Sequence, residues 1–291
     1  MSLSVSILGC GWLGRPLGRH LVDRGHAVCG STTTPEKLDA LRDDGIDPVL
    51  LTLDPDLSGQ DPGGLFEAEV LVLNVPPSRG SDDVRARHRR QIEAVRDAAL
   101  EGRVEWVVFA SSTGVYPHVE RTVTEDDLPP GRPDALPGRR RPTGEAVLEG
   151  EGLLADTPGL DVTIVRLGGL YGGDRNPGRF LAGRTDVGRP RAPVNLLHRD
   201  DAVGVFAAIL EHNVRGKVFN ACADAHPERH VFYTRAAEAT GLEPPTFDRD
   251  DETTGKRVSA EKLRTRLGYE YRHPDPLEDL AALGTDGGPD L

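Results

Sequence analysis

The ten residues Val5-Ser6-Ile7-Leu8-Gly9-Cys10-Gly11-Trp12-Leu13-Gly14 constrain this chain more than any others. A short apolar run, Leu3–Leu8, feeds into Gly-x-Gly-x-x-Gly. A helical pattern follows over Trp12–Arg24, with Leu13, Leu17, Leu21 and Val22 on one face. The first glycine permits the tight bend, the second lets the backbone approach a pyrophosphate, and the third lets the helix pack close to the strand. The helix N-terminus adds partial positive charge for an anion. Strand before, helix after and an N-terminal position together read as a dinucleotide seat built from Gly9, Cys10, Gly11, Trp12, Leu13, Gly14 and Arg15.

The chain continues in the same rhythm. Apolar runs at Ala27–Gly30, Val49–Leu53, Val70–Val75, Val104–Ser111 and Asp161–Leu167 alternate with helical patterns at Pro35–Asp43, Ser81–Leu100 and Thr143–Ala155. Strands this apolar, separated by helices, belong to a parallel sheet covered on both faces. Right-handed crossovers then give an α/β fold with a doubly wound parallel sheet, the NAD(P)-binding Rossmann type. Residues 1–168 are expected to form it. Residues 169–283, with helices near Asp200–His212 and Glu228–Thr240 and a strand near Lys217–Ala221, are expected as a smaller C-terminal substrate lobe interleaved with the main sheet. Residues 284–291 lack apolar content and read as a disordered tail.

NAD sites usually place an acid about 20 residues past the turn, on the ribose 2′-hydroxyl. Here that place reads Gly30-Ser31-Thr32-Thr33-Thr34, with no acid before Glu36. Hydroxyls tolerate a 2′-phosphate and Arg15 is near enough to pair with it, so NADP is preferred, with NAD as the alternative. The same hydroxyls are also suited to capping the helix that begins at Pro35.

Composition narrows the partners. The formal net charge is −12, which argues against nucleic acid. No apolar run approaches the roughly 20 residues of a membrane helix, and no basic region precedes the first strand, so the expectation is a cytoplasmic protein without a membrane partner. Four lysines are present, Lys37, Lys217, Lys256 and Lys262, against many arginines. A high-salt cytoplasm and a GC-rich coding sequence account for this equally well. Cys10, Cys29 and Cys222 show no metal spacing and read as small buried residues of a reducing compartment.

Three later motifs carry a resemblance: Ser111-Ser112-Thr113-Gly114-Val115-Tyr116-Pro117, Arg166-Leu167-Gly168-Gly169-Leu170-Tyr171-Gly172 and Leu197-His198-Arg199-Asp200-Asp201-Ala202. In this order, behind the glycine turn, they resemble the extended short-chain dehydrogenase/reductases, the NAD-dependent epimerase/dehydratase family, over roughly residues 3–280. The resemblance implies that Ser112 bonds a substrate oxygen. It implies that Asp54 touches the adenine, and that Asn74, Val75, Pro76 and Pro77 pass under the nicotinamide ribose. His198 and Asp201 would order the C-terminal lobe. It further implies a homodimer paired through helices at about Asp82–Leu100 and Thr143–Ala155. The family's Tyr-x-x-x-Lys relay is missing, however. Matched on Gly144 and Glu151, its places hold Thr143 and Val147; shifted by two, they hold Arg141 and Glu145.

A threonine hydroxyl is a far weaker acid than a phenol, so the chain reads as an atypical member. Ser112, Tyr116 and Thr143 are the candidate catalytic residues; Tyr116 and Tyr171 also suit packing. Arg139, Arg140, Arg141 and Arg179 offer either an anion clamp or a solvated basic face. The leading expectation is an NAD(P)-dependent oxidoreductase or epimerase acting on an unidentified small molecule. The alternatives are a non-catalytic NADP-binding sensor and a different Rossmann dehydrogenase class.

Overall fold

The computed structural model describes residues 2–59, 61–78 and 83–283. In chain order the elements are β1 (Ser4–Leu8), α1 (Gly14–Asp23), β2 (Ala27–Thr32), α2 (Leu38–Asp43), β3 (Asp47–Leu53), β4 (Leu57–Gly59), β5 (Val70–Leu73), α3 (Val84–Glu101), β6 (Trp106–Ser112) and β7 (Thr122–Val123). Then come α4 (Pro142–Ala155), β8 (Asp161–Leu167), β9 (Gly169–Tyr171), β10 (Leu196–His198), α5 (Arg199–Glu211), β11 (Val218–Ala221), α6 (Arg229–Ala239), β12 (Arg257–Val258), α7 (Glu261–Leu267) and α8 (Pro276–Leu283).

Eight strands make one sheet in the order β11-β8-β6-β5-β1-β2-β3-β4. All neighbours are parallel except β3 and β4. This is the expected doubly wound Rossmann sheet. The short antiparallel strand β4 ends it with exposed residues, a usual way to blunt an open edge.

Alternation along the central strands sorts their side chains to two faces. Val70 and Val72 of β5 join Leu13 just before α1, Leu17 and Leu21 of α1 and Phe206, Ile209 and Leu210 of α5. Leu71 and Leu73 join Ile92, Val95 and Ala99 of α3 and Val147, Leu148 and Leu154 of α4. Leu17 is 1% exposed and Leu21 is 0% exposed; each such side chain contributes about 1.5–3 kcal/mol by leaving water.

The C-terminal half is threaded into this frame. β11 hydrogen-bonds to β8, and α5 packs on α1. A separate apolar cluster, including Tyr171, Val194, Leu196, Phe232, Ala236 and Leu280, sits under the remaining loops. Two pairs of very short strands, β9 with β10 and β7 with β12, tie distant segments together. The tail read as disordered lies outside the described residues, as do Ser81 and Asp82 at the start of the expected third helix.

The sheet order reverses direction between β1 and β5. In open α/β sheets a ligand crevice forms at such a point, beyond the carboxyl ends of the strands.

Candidate functional site

A cleft of about 750 Å³ opens at this point. Its floor is the turn from Leu8 to Leu13, and its walls come from the ends of β2, β3, β5, β6 and β8. Gly9 stands at φ +98, and a Cβ there would lie 2.5 Å from the Asn74 carbonyl oxygen. A Cβ on Gly14 would lie 2.4 Å from the Gly9 carbonyl oxygen, so α1 starts hard against the turn. At Gly11 a Cβ would meet nothing within 4 Å; that side is open to a ligand.

Ser31 and Asn74 hold the turn from either flank. The Gly9 N–H donates to Ser31 Oγ at 2.9 Å. Asn74 Nδ2 donates to the Gly9 carbonyl at 3.0 Å. Both residues line the cleft, as do Val75, Pro76 and Pro77. Ser31 is 3% exposed and already engaged; Thr32, Thr33 and Thr34 follow it along the wall.

The cation expected there is different from the one in place. Arg15 does not line the cleft; its Nε donates to Asp44 at the end of α2. Position Arg15 on α1 thus faces the end of α2. Lys37 lines the cleft instead, exposed and with no acidic partner among the described residues. Its only signal in the sequence was being a rare lysine just past the threonine run.

At the open end, Trp12 donates from its indole N–H to Asp174 and carries the Arg175 guanidinium over its ring at 3.9 Å. Arg199 lies over the same ring at 5.5 Å. Such stacking is favourable for a flat, weakly hydrated cation. Asp54 lines the opposite wall and pairs with Arg87 of α3, which also lines it. His88 beside it is 1% exposed, with Nδ1 3.4 Å from Gln91 Oε1. Burial pushes its pKa down, so the ring is neutral. Arg87, His88 and Arg175 were not foreseen from sequence, because their route to the cleft depends on how α3 and the Gly172–Arg175 turn dock.

Ser112 ends β6 at the inner wall, its Oγ accepting from the Gly114 N–H at 3.1 Å. α4 presses on the turn after it: a Cβ on Gly144 would lie 2.2 Å from the Gly114 carbonyl oxygen. Val147 lines the cleft with its alkyl side chain. Thr143 is half-buried at the second residue of α4 and is not part of the lining.

The structure puts Tyr116 elsewhere than the cleft, which corrects its reading as a proton carrier. Its ring is 1% exposed. Its hydroxyl donates to Asn220 Oδ1 at 2.8 Å and accepts from Arg166 Nη1 at 2.9 Å. Burial pushes the phenol up to about 12 despite Arg166. Arg166 in turn makes a two-pronged pair with Glu151, at 2.9 Å from Nε and 2.6 Å from Nη2, both side chains fully buried. Ser111, which lines the cleft, donates to the same carboxylate at 2.5 Å. The network clamps the end of β6, and so the Ser112 segment, to α4 and β8. Tyr171 is likewise a packing residue, fully buried, with its hydroxyl donating to Asp279.

Cys10 lines the cleft yet is 4% exposed. Burial pushes the Cys10 and Cys222 thiols up to about 12 and that of Cys29 up to about 11. The thiolate is the reactive form; at pH near 8, a thiol with a pKa of about 11 is ionised in roughly one molecule per thousand. A disulfide reagent is therefore expected to label none of the three in the native protein and all of them after denaturation. Rapid native labelling of Cys10 would contradict this burial.

No family model matches the chain. The Escherichia coli (strain K12) protein YeeZ is 39% identical over 277 residues, which is 94% of this chain and 97% of that protein. Solved structures share the fold at lower identity. A short-chain dehydrogenase/reductase superfamily protein from Agrobacterium tumefaciens, with bound NAD, matches at TM-score 0.73 and 21% identity, covering 96% of each chain. A UDP-glucose 4-epimerase from Thermotoga maritima matches at TM-score 0.75 and 16% identity, covering 97% of this chain and 98% of that one. No helix among the described residues is long and apolar enough to cross a membrane. With near-complete coverage at 39% identity, on a sheet shared with the short-chain dehydrogenases and epimerases, the chain belongs to the family of the Escherichia coli protein YeeZ.

Proposed function

We propose that the chain is an NADP-dependent oxidoreductase or epimerase acting on a small molecule. One observation carries this reading: a single cleft joins the glycine turn, the acid-free wall Thr32–Thr34 with Lys37, and the Ser112 hydroxyl. The residues present fit a dinucleotide. Gly11 leaves room for a pyrophosphate beside backbone and helix N-terminus, and Lys37 offers a cation to a 2′-phosphate. A nicotinamide bound there would exchange a hydride with the substrate.

The chain's own groups then hold and orient. Ser112 at the inner wall bonds the substrate oxygen. Val147 keeps an apolar surface where the family has a lysine, so no ammonium at that position lowers the pKa of a neighbouring hydroxyl. The Thr143 hydroxyl, which does not line the cleft, is too weak an acid to take the phenol's part by itself.

Titration with NADPH and NADH, following reduced-nicotinamide fluorescence, tests the reading. NADPH is expected to bind about tenfold or more tightly than NADH. Lys37→Ala should remove most of that preference, since a charge-assisted contact is worth about 1.5–3 kcal/mol. Binding of neither nucleotide, at low or high salt, would sink the cofactor assignment. NADH binding with no preference would sink the choice of NADP alone.

A further inference from the structure

Beyond Ser112, four separate segments bring three cations and a histidine together. His118 follows the Tyr116–Pro117 turn, and its Nδ1 lies 2.8 Å from Arg189 Nη1. A guanidinium only donates, so His118 accepts there. Arg189 stands at φ 55, a left-handed conformation uncommon for a residue with a long side chain. The Asp251 carboxylate accepts its backbone N–H at 2.7 Å and so holds it in that form. Arg229, opening α6, donates from Nη1 to the Gly188 carbonyl at 2.9 Å. Lys256 approaches from the segment before β12, with Nζ donating to the Tyr116 carbonyl at 2.5 Å.

No carboxylate pairs with the side chains of His118, Arg189, Arg229 or Lys256 among the described residues. Asp251 is engaged with the Arg189 backbone and with Thr253 and feels the Arg189 charge without pairing with it. Meanwhile Lys256 is pushed down to about 8 by burial and by Arg140, Arg189 and Arg141. Arg229 is lowered by burial and by Arg189, Arg141 and Arg184. A chain with 47 acids and 35 lysines and arginines thus leaves cations facing one another without an acid. An anion from outside would relieve that repulsion.

The Lys256 backbone is linked to the cleft wall through Asn195. Asn195 Nδ2 donates to the Lys256 carbonyl at 3.0 Å. The Asn195 carbonyl oxygen lies 3.0 Å from where a Cβ on Gly168 would sit, and Gly168 lines the cleft beside Leu167.

We propose that His118, Arg189, Arg229 and Lys256 form the seat of an oxyanion, carboxylate or phosphoryl, carried by the substrate. Its role as a substrate site rests on the cofactor reading of the cleft; its existence as an anion site does not. The forked Arg189 and Arg229 suit paired oxygens, and Lys256 adds a compact charge.

The test is calorimetric titration of the full chain with inorganic phosphate and with malonate at constant ionic strength, alongside NADPH. Arg189→Asn removes the guanidinium while keeping a residue that tolerates the left-handed backbone. At least one of the two anions is expected to saturate, and about tenfold or more weaker binding of it is expected in Arg189→Asn and Lys256→Met, with NADPH affinity unchanged. The anion that binds more tightly names the substrate group. If Lys256→Met does not fold, Arg229→Gln replaces it. Failure of both anions to saturate, or saturation unchanged in the variants, would overturn the proposal. Anion binding that falls in the variants while NADPH fails to bind would support this seat and reject the cofactor reading.

Discussion

Glu151→Ala is expected to cost about 3–5 kcal/mol of stability, the loss typical when a fully buried charge is stripped of its partner. Arg166 would keep its guanidinium at 0% exposure with only the Tyr116 hydroxyl and the Leu128 carbonyl as acceptors. Ser111 would lose its acceptor as well. Urea unfolding measures it: the midpoint should drop sharply with little change in slope. Replacing both members, Glu151→Leu with Arg166→Met, should cost less than the sum of the single changes, because no charge is then orphaned. A loss under about 1 kcal/mol for Glu151→Ala would mean that water reaches the pair, contrary to its burial.

Gly11→Ala should separate binding from folding. A methyl group at Gly11 meets nothing within 4 Å, so the melting temperature should hold. The same methyl occupies the space a pyrophosphate needs beside the backbone. Losing one charge-assisted backbone hydrogen bond, about 1.5–3 kcal/mol, weakens NADPH binding roughly 10- to 100-fold. Gly14→Ala provides the contrast, because its methyl would lie 2.4 Å from the Gly9 carbonyl oxygen, and it should destabilise the fold itself. Unchanged NADPH affinity in Gly11→Ala would show that the turn is not the pyrophosphate seat.

Much of the scaffold could be read along the chain. Asp161–Leu167 emerges with the same bounds from its apolar run as from the structure, and α4 begins beside Pro142, where a proline favours the first turn. Both signals are local. The strand pairs β7 with β12 and β9 with β10 were missed, since two or three residues carry no periodicity of their own. They exist only because Thr122 meets Arg257 and Gly169 meets Leu196. The edge strand β4 was missed for the same reason.

The candidate site divides in the same way. Gly9, Gly11, Gly14, Asn74 and Ser112 were legible because each belongs to a strand end or turn whose geometry a short stretch of sequence dictates. Arg15 pairs with Asp44 and stays out of the cleft while Lys37 lines it, because side-chain placement there follows how α1 meets the end of α2. Tyr116 suited either catalysis or packing by sequence; Asn220 and Arg166, the latter paired with Glu151, come from three other elements to hold its hydroxyl in the interior. By itself, then, the sequence determined the strand–turn–helix at the glycines and the parallel sheet, both written in neighbouring residues. Only the tertiary structure decided which cations face the cleft, which tyrosine is buried and that His118, Arg189, Arg229 and Lys256 meet. Those outcomes depend on the packing of segments far apart in the chain, which no local pattern encodes.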